Sequence, residues 1–134
     1  MGQDQRVQVS LHIPTTAAGT GQDDFVTFNH PGTWLIEDQE LMPNASVAAD
    51  ATDYSTYTLY NVTDSVTIMS HATNPGGQGA LTAGTAVLAS PTVTGADRRI
   101  SQGDVLRLRK ADSGSGKAGA VRATLVLVNE RQGA

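Results

Sequence analysis

Apolar and polar residues alternate with a period of two along most of this chain, most regularly in its last third. In GDVLRLRKA, Leu106 and Leu108 alternate with Arg107 and Arg109, which puts aliphatic groups on one face of a pleated strand and guanidinium groups on the other. After the loop DSGSGKAG the chain returns through AVRATLVLVNE, with Val121, Ala123, Leu125 and Leu127 on one face and Arg122, Thr124, Val126 and Val128 on the other. The second half of this arm is apolar on both faces, which predicts a central, covered strand. Gly103 to Glu130 therefore reads as a final hairpin onto which the other strands are added.

Earlier segments follow the same rule. Arg6 to Ile13 sets Val7, Val9, Leu11 and Ile13 against Arg6, Gln8, Ser10 and His12, and Pro14 is expected to stop the strand. Thr15 to Gln22 is a loop, Asp24 to Asn29 a short strand around Phe25, Val26 and Phe28, and His30-Pro31-Gly32 a turn. Thr33 to Met42 places Trp34 and Ile36 on one face and Leu35, Glu37, Gln39 and Leu41 on the other, with a bulge where the phase slips. Pro43 to Asp53 is an irregular connection in which Val47 tucks back onto the core. Tyr54 to Val62 is rich in aromatic and β-branched residues, with Tyr57 and Leu59 opposed to Thr56, Thr58 and Tyr60. It forms a hairpin with Ser65 to Ala72, in which Val66, Ile68 and Ser70 oppose Thr67, Met69 and His71. Thr73 to Ala80 is a loop, Gly84 to Pro91 a short edge strand around Ala86 and Leu88, and Val93 and Ile100 are isolated inward points near a one-turn helix or brief strand. The sum is an all-β, single-domain sandwich over residues 1–134, with eight or nine short strands, no repeat and no linker.

Composition narrows the function. A chain of 134 residues is long enough for one core burying roughly two-thirds of its extended surface. It has no cysteine, so disulfides, thiolate metal sites and cysteine nucleophiles are excluded. A net charge of −4 gives no general attraction to nucleic acid or anionic membrane. MGQDQRVQV lacks the apolar stretch of a signal peptide and no run approaches a membrane span, so a soluble chain is expected. Arg6 occupies the position where a myristoylation motif needs Ser or Thr. Two Asn-x-Ser/Thr triplets, at Asn44 and Asn61, carry no weight without an export signal.

Catalytic and metal chemistry find little to stand on. The stretch from Ala111 to Ala118 resembles a P-loop only superficially, because Ala111 replaces the first glycine, Ala118 replaces the magnesium-binding hydroxyl, and a strand follows instead of a helix. It reads as a mobile, soluble hairpin tip. His12, His30 and His71 are far apart in sequence, His30 in a turn and the other two facing outward. Asp23-Asp24, Glu37-Asp38-Glu40 and Asp50 with Asp53 lack the spacing of a calcium loop and read as a solvated acidic surface. No enzyme, cofactor or metal is expected. Arg98, Arg99, Arg107, Arg109, Lys110, Lys117 and Arg122 concentrate positive charge in the last third while carboxylates dominate the first half, a distribution suited to assembly between copies or with a larger partner.

The alternating VQVSLHIP, the FVTFNHPGTW that follows, a PNA turn, the YSTYTLYNV strand and a late S-x-GDVLRL before a Gly-rich loop together resemble the small decoration, or minor capsid, proteins on the heads of tailed bacteriophages. The resemblance is one of style over nearly the full length. It implies a jelly-roll-like sandwich made in the host cytoplasm and carried on the virion exterior, where it binds the major capsid protein, oligomerises as a homotrimer and stabilises the lattice. It implies no nucleic-acid, membrane or small-molecule partner. Gln3, Asp4, Gln5, Arg6, Arg98, Arg99, Arg107 and Arg109 are the candidate capsid or subunit contacts, with Met1 to Gln5 an arm ordered by a neighbour. A carbohydrate-binding module, using Trp34, Tyr54, Tyr57 and Tyr60, and an adhesin-like subunit remain the alternatives.

A far-UV dichroism spectrum dominated by strand is expected, and one dominated by helix would contradict this reading.

Overall fold

The computed structural model describes residues 5–88 and 93–129. Eight strands run through them: β1 (Arg6–Thr16), β2 (Gln22–Thr27), β3 (Thr33–Pro43), β4 (Tyr54–Asn61), β5 (Val66–Ala72), β6 (Arg99–Ser101), β7 (Val105–Ser113) and β8 (Gly119–Asn129). A four-residue 3-10 turn, Gly95–Arg98, precedes β6. The strands form two antiparallel four-stranded sheets, ordered β1-β8-β3-β6 and β2-β7-β4-β5.

This order has a simple origin. β4 and β5 make a hairpin, and β3 with β6, β2 with β7 and β1 with β8 continue it as one long two-stranded ribbon. Wrapping the ribbon on itself adds the β3–β8 and β4–β7 pairings and leaves alternate rungs in opposite sheets. The result is the jelly-roll topology. The expected final hairpin does not exist, because β7 belongs to the second sheet and β8 to the first. Their connection crosses between the layers.

The core lies between the sheets, where Leu11, Ile13, Ile36, Leu59, Leu106, Leu108, Leu125 and Leu127 are fully buried. Trp34 is buried too, and its indole N–H donates to the Pro31 carbonyl at 3.0 Å, fixing the turn before β3. Val47 tucks inward as expected, bridging to Leu81 with reciprocal 2.9 Å hydrogen bonds. Ile100 is buried on β6 and Val93 packs against the core.

Bulges explain where the strict alternation fails. The β3–β8 register skips Glu37, so Gln39 and Leu41 move to the inward face with Trp34 and Ile36. The β4–β5 register skips Ile68, so Met69 and His71 turn inward. His71 is therefore buried, and its Nε2 lies 2.8 Å from the Gly79 carbonyl, where it holds the loop after β5. Pro14 does not end β1, which continues through a bulge to Thr16. That is tolerated because β1 is an edge strand and needs no outward N–H at that position. Of the expected strand Gly84–Pro91, the described residues keep one bridge, Val87 to Leu41, and its remaining residues from 89 on lie outside them.

Central β8 crosses closely over β4 at Gly119. A Cβ there would overlap the Tyr57 hydroxyl. Gly119→Ala is expected to destabilise the protein by about 1–3 kcal/mol, as overpacking does. Tyr57→Phe should recover most of that loss in the double variant, and equal losses with and without the hydroxyl, in urea melts, would contradict the clash.

Candidate interaction face

The eight residues expected to make contacts are not gathered in one place. Gln3 and Asp4 lie outside the described residues. Gln5 is exposed just before β1, its backbone carbonyl accepting the Asn129 N–H at 3.0 Å. Arg6, beside Val128 in the β1–β8 register, donates from Nε and one Nη to the Glu37 carboxylate at 2.7 and 2.9 Å. Arg98 donates twice to the Ile36 carbonyl, at 3.0 and 2.6 Å, one residue past the end of the β3–β6 ladder. Arg99 is exposed on β6 opposite Leu35. Arg6 and Arg99 stand on strands of the first sheet, and Arg98, in the 3-10 turn before β6, is bonded to its strand β3. Arg107 and Arg109 lie on β7 in the second, so the charge concentrated in the last third of the sequence divides between opposite faces.

The outer face of the second sheet is the more distinctive. Cross-strand register places Phe25 beside Arg107, Arg107 beside Tyr60 and Tyr60 beside Thr67, one row across all four strands. Residues directly opposite share a face, so these side chains stand together. The Arg107 guanidinium lies over the Tyr60 ring, 5.0 Å from its centroid, a cation–π contact. Phe25 is 56% exposed. The adjacent row is Asp23, Arg109, Thr58 and Ser70, in which Arg109 grips Asp23 with a pair of bonds of 2.8 and 3.0 Å. Those bonds, with the charges of Arg109 and Arg107, hold the Asp23 carboxyl below its ordinary value.

Arg107 differs from the other arginines around it. Its Nε is buried and donates no hydrogen bond, and among the described residues no carboxylate stands within ion-pair reach of its guanidinium. Arg6 and Arg109 each bond both oxygens of a carboxylate, and Arg98 donates two N–H groups to the single Ile36 carbonyl oxygen.

Beneath this face lies a group that the sequence reading missed. Lys110 continues the Leu106, Leu108 phase and points inward, where it is 1% exposed. Its ammonium donates to both Asp112 oxygens at 2.9 Å and to the carbonyls of Thr20 and Ala17 at 2.9 and 3.2 Å. The Ser55 hydroxyl donates to Asp112 at 2.5 Å and accepts the Lys117 N–H at 3.0 Å. Burial pushes the Asp112 carboxyl up, but Ser55, Lys110 and the Gly19 N–H outweigh it and hold it low. The Gly-rich stretch is therefore no free tip. Ser115 N–H bonds Asp53, and a side chain at Gly114 would strike Asp53 and the Thr52 carbonyl.

The carboxylates are likewise committed more than a solvated acidic surface would require. Glu37, Asp23, Asp50 and Asp112 each have a cationic partner, and the Asp24 carboxylate accepts the edge N–H of His12 at 2.7 Å. Backbone N–H groups of Asp53 and Thr52, then Lys117, lower Asp50 to about 2. Beside Arg109 and Lys110 a recess of about 370 Å³ opens broadly to solvent, a shape suited to surface contact.

No family model matches the chain, and no curated protein matches it. Among solved structures the chain is similar to the structure of the infectious bursal disease virus Gx strain, with a TM-score of 0.44 and 14% identity over 96% of this chain. The chain spans about a third of that protein's length, 33%.

Lys110→Ala is expected to cost about 3–5 kcal/mol, because it leaves Asp112 buried without its cation, and Lys110→Met together with Asp112→Asn should cost less. Asp23, Glu37, Asp50 and Asp112 all have depressed folded values. Their contribution is present above the ordinary carboxylate range and is lost as protons bind, so stability should hold from about pH 7 to 5 and fall between about pH 4 and 2. Asp64, raised by burial and by Asp104, works in the opposite sense, since its protonation favours the fold. Urea midpoints that stay flat to pH 2 would contradict this account.

Proposed function

We propose that this chain is a structural virion protein that decorates the outside of a tailed-phage head, binding the major capsid protein and stabilising the lattice. The observation that carries the reading is the strand order β1-β8-β3-β6 over β2-β7-β4-β5. Jelly rolls of this kind recur in viral capsid, lectin and cupin domains, so the fold alone supports a short set of roles by analogy. Within that set, the chemistry favours contact over catalysis. The described residues bring together no three His, Cys, Asp or Glu that would hold a metal. Trp34 and Tyr57, two of the four rings a sugar-binding module would use, are buried in the core. What the protein offers is an outer sheet face on which Phe25, Tyr60 and Arg107 stand together, residue types enriched in protein interfaces.

Attachment then works through repetition. A symmetric oligomer, a homotrimer in this reading, presents the same patch several times to a lattice of matching symmetry, so modest contacts per copy give slow release. No deep pocket, cofactor or catalytic step is involved. The charged contribution should be small in number, because Arg6 and Arg109 already have partners within the chain.

The protein is expected to co-sediment with shells assembled without it, more weakly as ionic strength rises from about 0.01 to 1 M. A protein that stays in the supernatant at every salt concentration overturns the proposal. A monomeric mass that persists when the protein is concentrated would remove the multivalent part of it.

A further inference from the structure

We propose that Arg107, held between Phe25 and Tyr60, is the anchor through which the outer face of the second sheet takes up a carboxylate of a partner protein, with Phe25 entering an apolar recess beside that carboxylate. The inference rests on the reading of the chain as a shell-binding protein and specifies where and how the contact is made.

Three observations converge on Arg107. Its guanidinium is placed by the fold: β2 and β4 flank β7, and their register fixes a ring on each side of it. Stacking on Tyr60 shields one face from water and limits its rotamers, so little conformational freedom remains to be lost on binding. Its guanidinium has no carboxylate partner among the described residues, and its Nε reaches no acceptor. Arginine has five N–H groups in a planar fork that matches a carboxylate. Finally, the neighbouring arginine cannot substitute, because both of its bonds go to Asp23. An exposed Phe25 alone would call for no explanation. Next to a preorganised, unpaired arginine it completes the aromatic and arginine pairing from which interface anchors are built.

The same cation would accept a phosphate, but a nucleic acid is held by several cations acting together. Here Arg109 is neutralised by Asp23, which leaves a single uncommitted cation in the two adjacent rows of this face and none of the several that a phosphate chain needs. A single acidic side chain on a protein surface fits one unpaired arginine better.

The test uses the full chain and shells purified from particles whose gene for this protein has been deleted. Arg107→Glu is expected to weaken co-sedimentation by at least about 30-fold, the loss associated with an anchor residue, and Phe25→Ala by roughly tenfold. Arg107→Lys should fall between wild type and Arg107→Glu, since an ammonium cannot make the two-pronged contact. Arg122→Ala, exposed on the outer face of the first sheet, should bind as wild type does. Dichroism and urea midpoints check each variant, and exposed Phe25→Ala keeps the test decisive should Arg107→Glu fail to fold. If wild type binds and Arg107→Glu and Phe25→Ala bind equally well, the docking face lies elsewhere while the shell-binding reading stands. If wild type itself does not bind, both fall. Retention of a single-stranded oligonucleotide that is lost in Arg107→Glu would replace the proposed partner with nucleic acid and overturn the inference.

Discussion

The buried carboxylate of Asp112 holds this chain at the point where it crosses from one sheet to the other. Lys110 and Asp112 end β7, Lys117 precedes β8, Ser55 opens β4, and Ala17 and Thr20 belong to the loop joining β1 to β2. One cluster of charge-assisted hydrogen bonds therefore ties four parts of the wrapped ribbon together. Removing two charges from water offsets most of their mutual attraction, so the group contributes position more than net stability. With the crossing fixed, β7 lies in register between β2 and β4, and β8 between β1 and β3. The outer face of the second sheet inherits its order from that register.

Alternation made the strands legible, but it could not say which strands are neighbours. A period of two assigns side chains to faces and is silent on partners, so β7, a Gly-rich loop and β8 read as a hairpin although they belong to different layers. The same rule carried through to Lys110 would have placed it inward with Leu106 and Leu108. Its charge argued for the surface, and the Asp112 that makes burial tolerable lies two residues further on, beyond what pattern alone can weigh. Bulges account for the other displacements. One extra residue at Glu37 and another at Ile68 invert the phase downstream, and they turn Gln39, Leu41, Met69 and His71 from the outer to the inner face.

The proposed contact face was half legible. That Arg107 and Arg109 point away from the core follows from Leu106 and Leu108 alone. Nothing in the sequence distinguishes the two arginines, because the distinction comes from their neighbours across the sheet: Asp23 opposes Arg109, whereas Phe25 and Tyr60 flank Arg107. Arg98 looked equally available and is instead held by the Ile36 carbonyl. Electrostatic patterning along a chain thus overstates the free charge of a fold in which edge and face arginines find acceptors at home.

The central claim is that this jelly roll acts by presenting the outer face of its second sheet to a partner, with Arg107 at the centre of the contact. Electron cryomicroscopy of a decorated shell, at a resolution that shows side chains, tests it most directly. The account predicts the β2-β7-β4-β5 sheet against the shell, Phe25 inserted and a shell carboxylate on Arg107. A map in which that face points to solvent, with the first sheet or the loops against the shell, would contradict it.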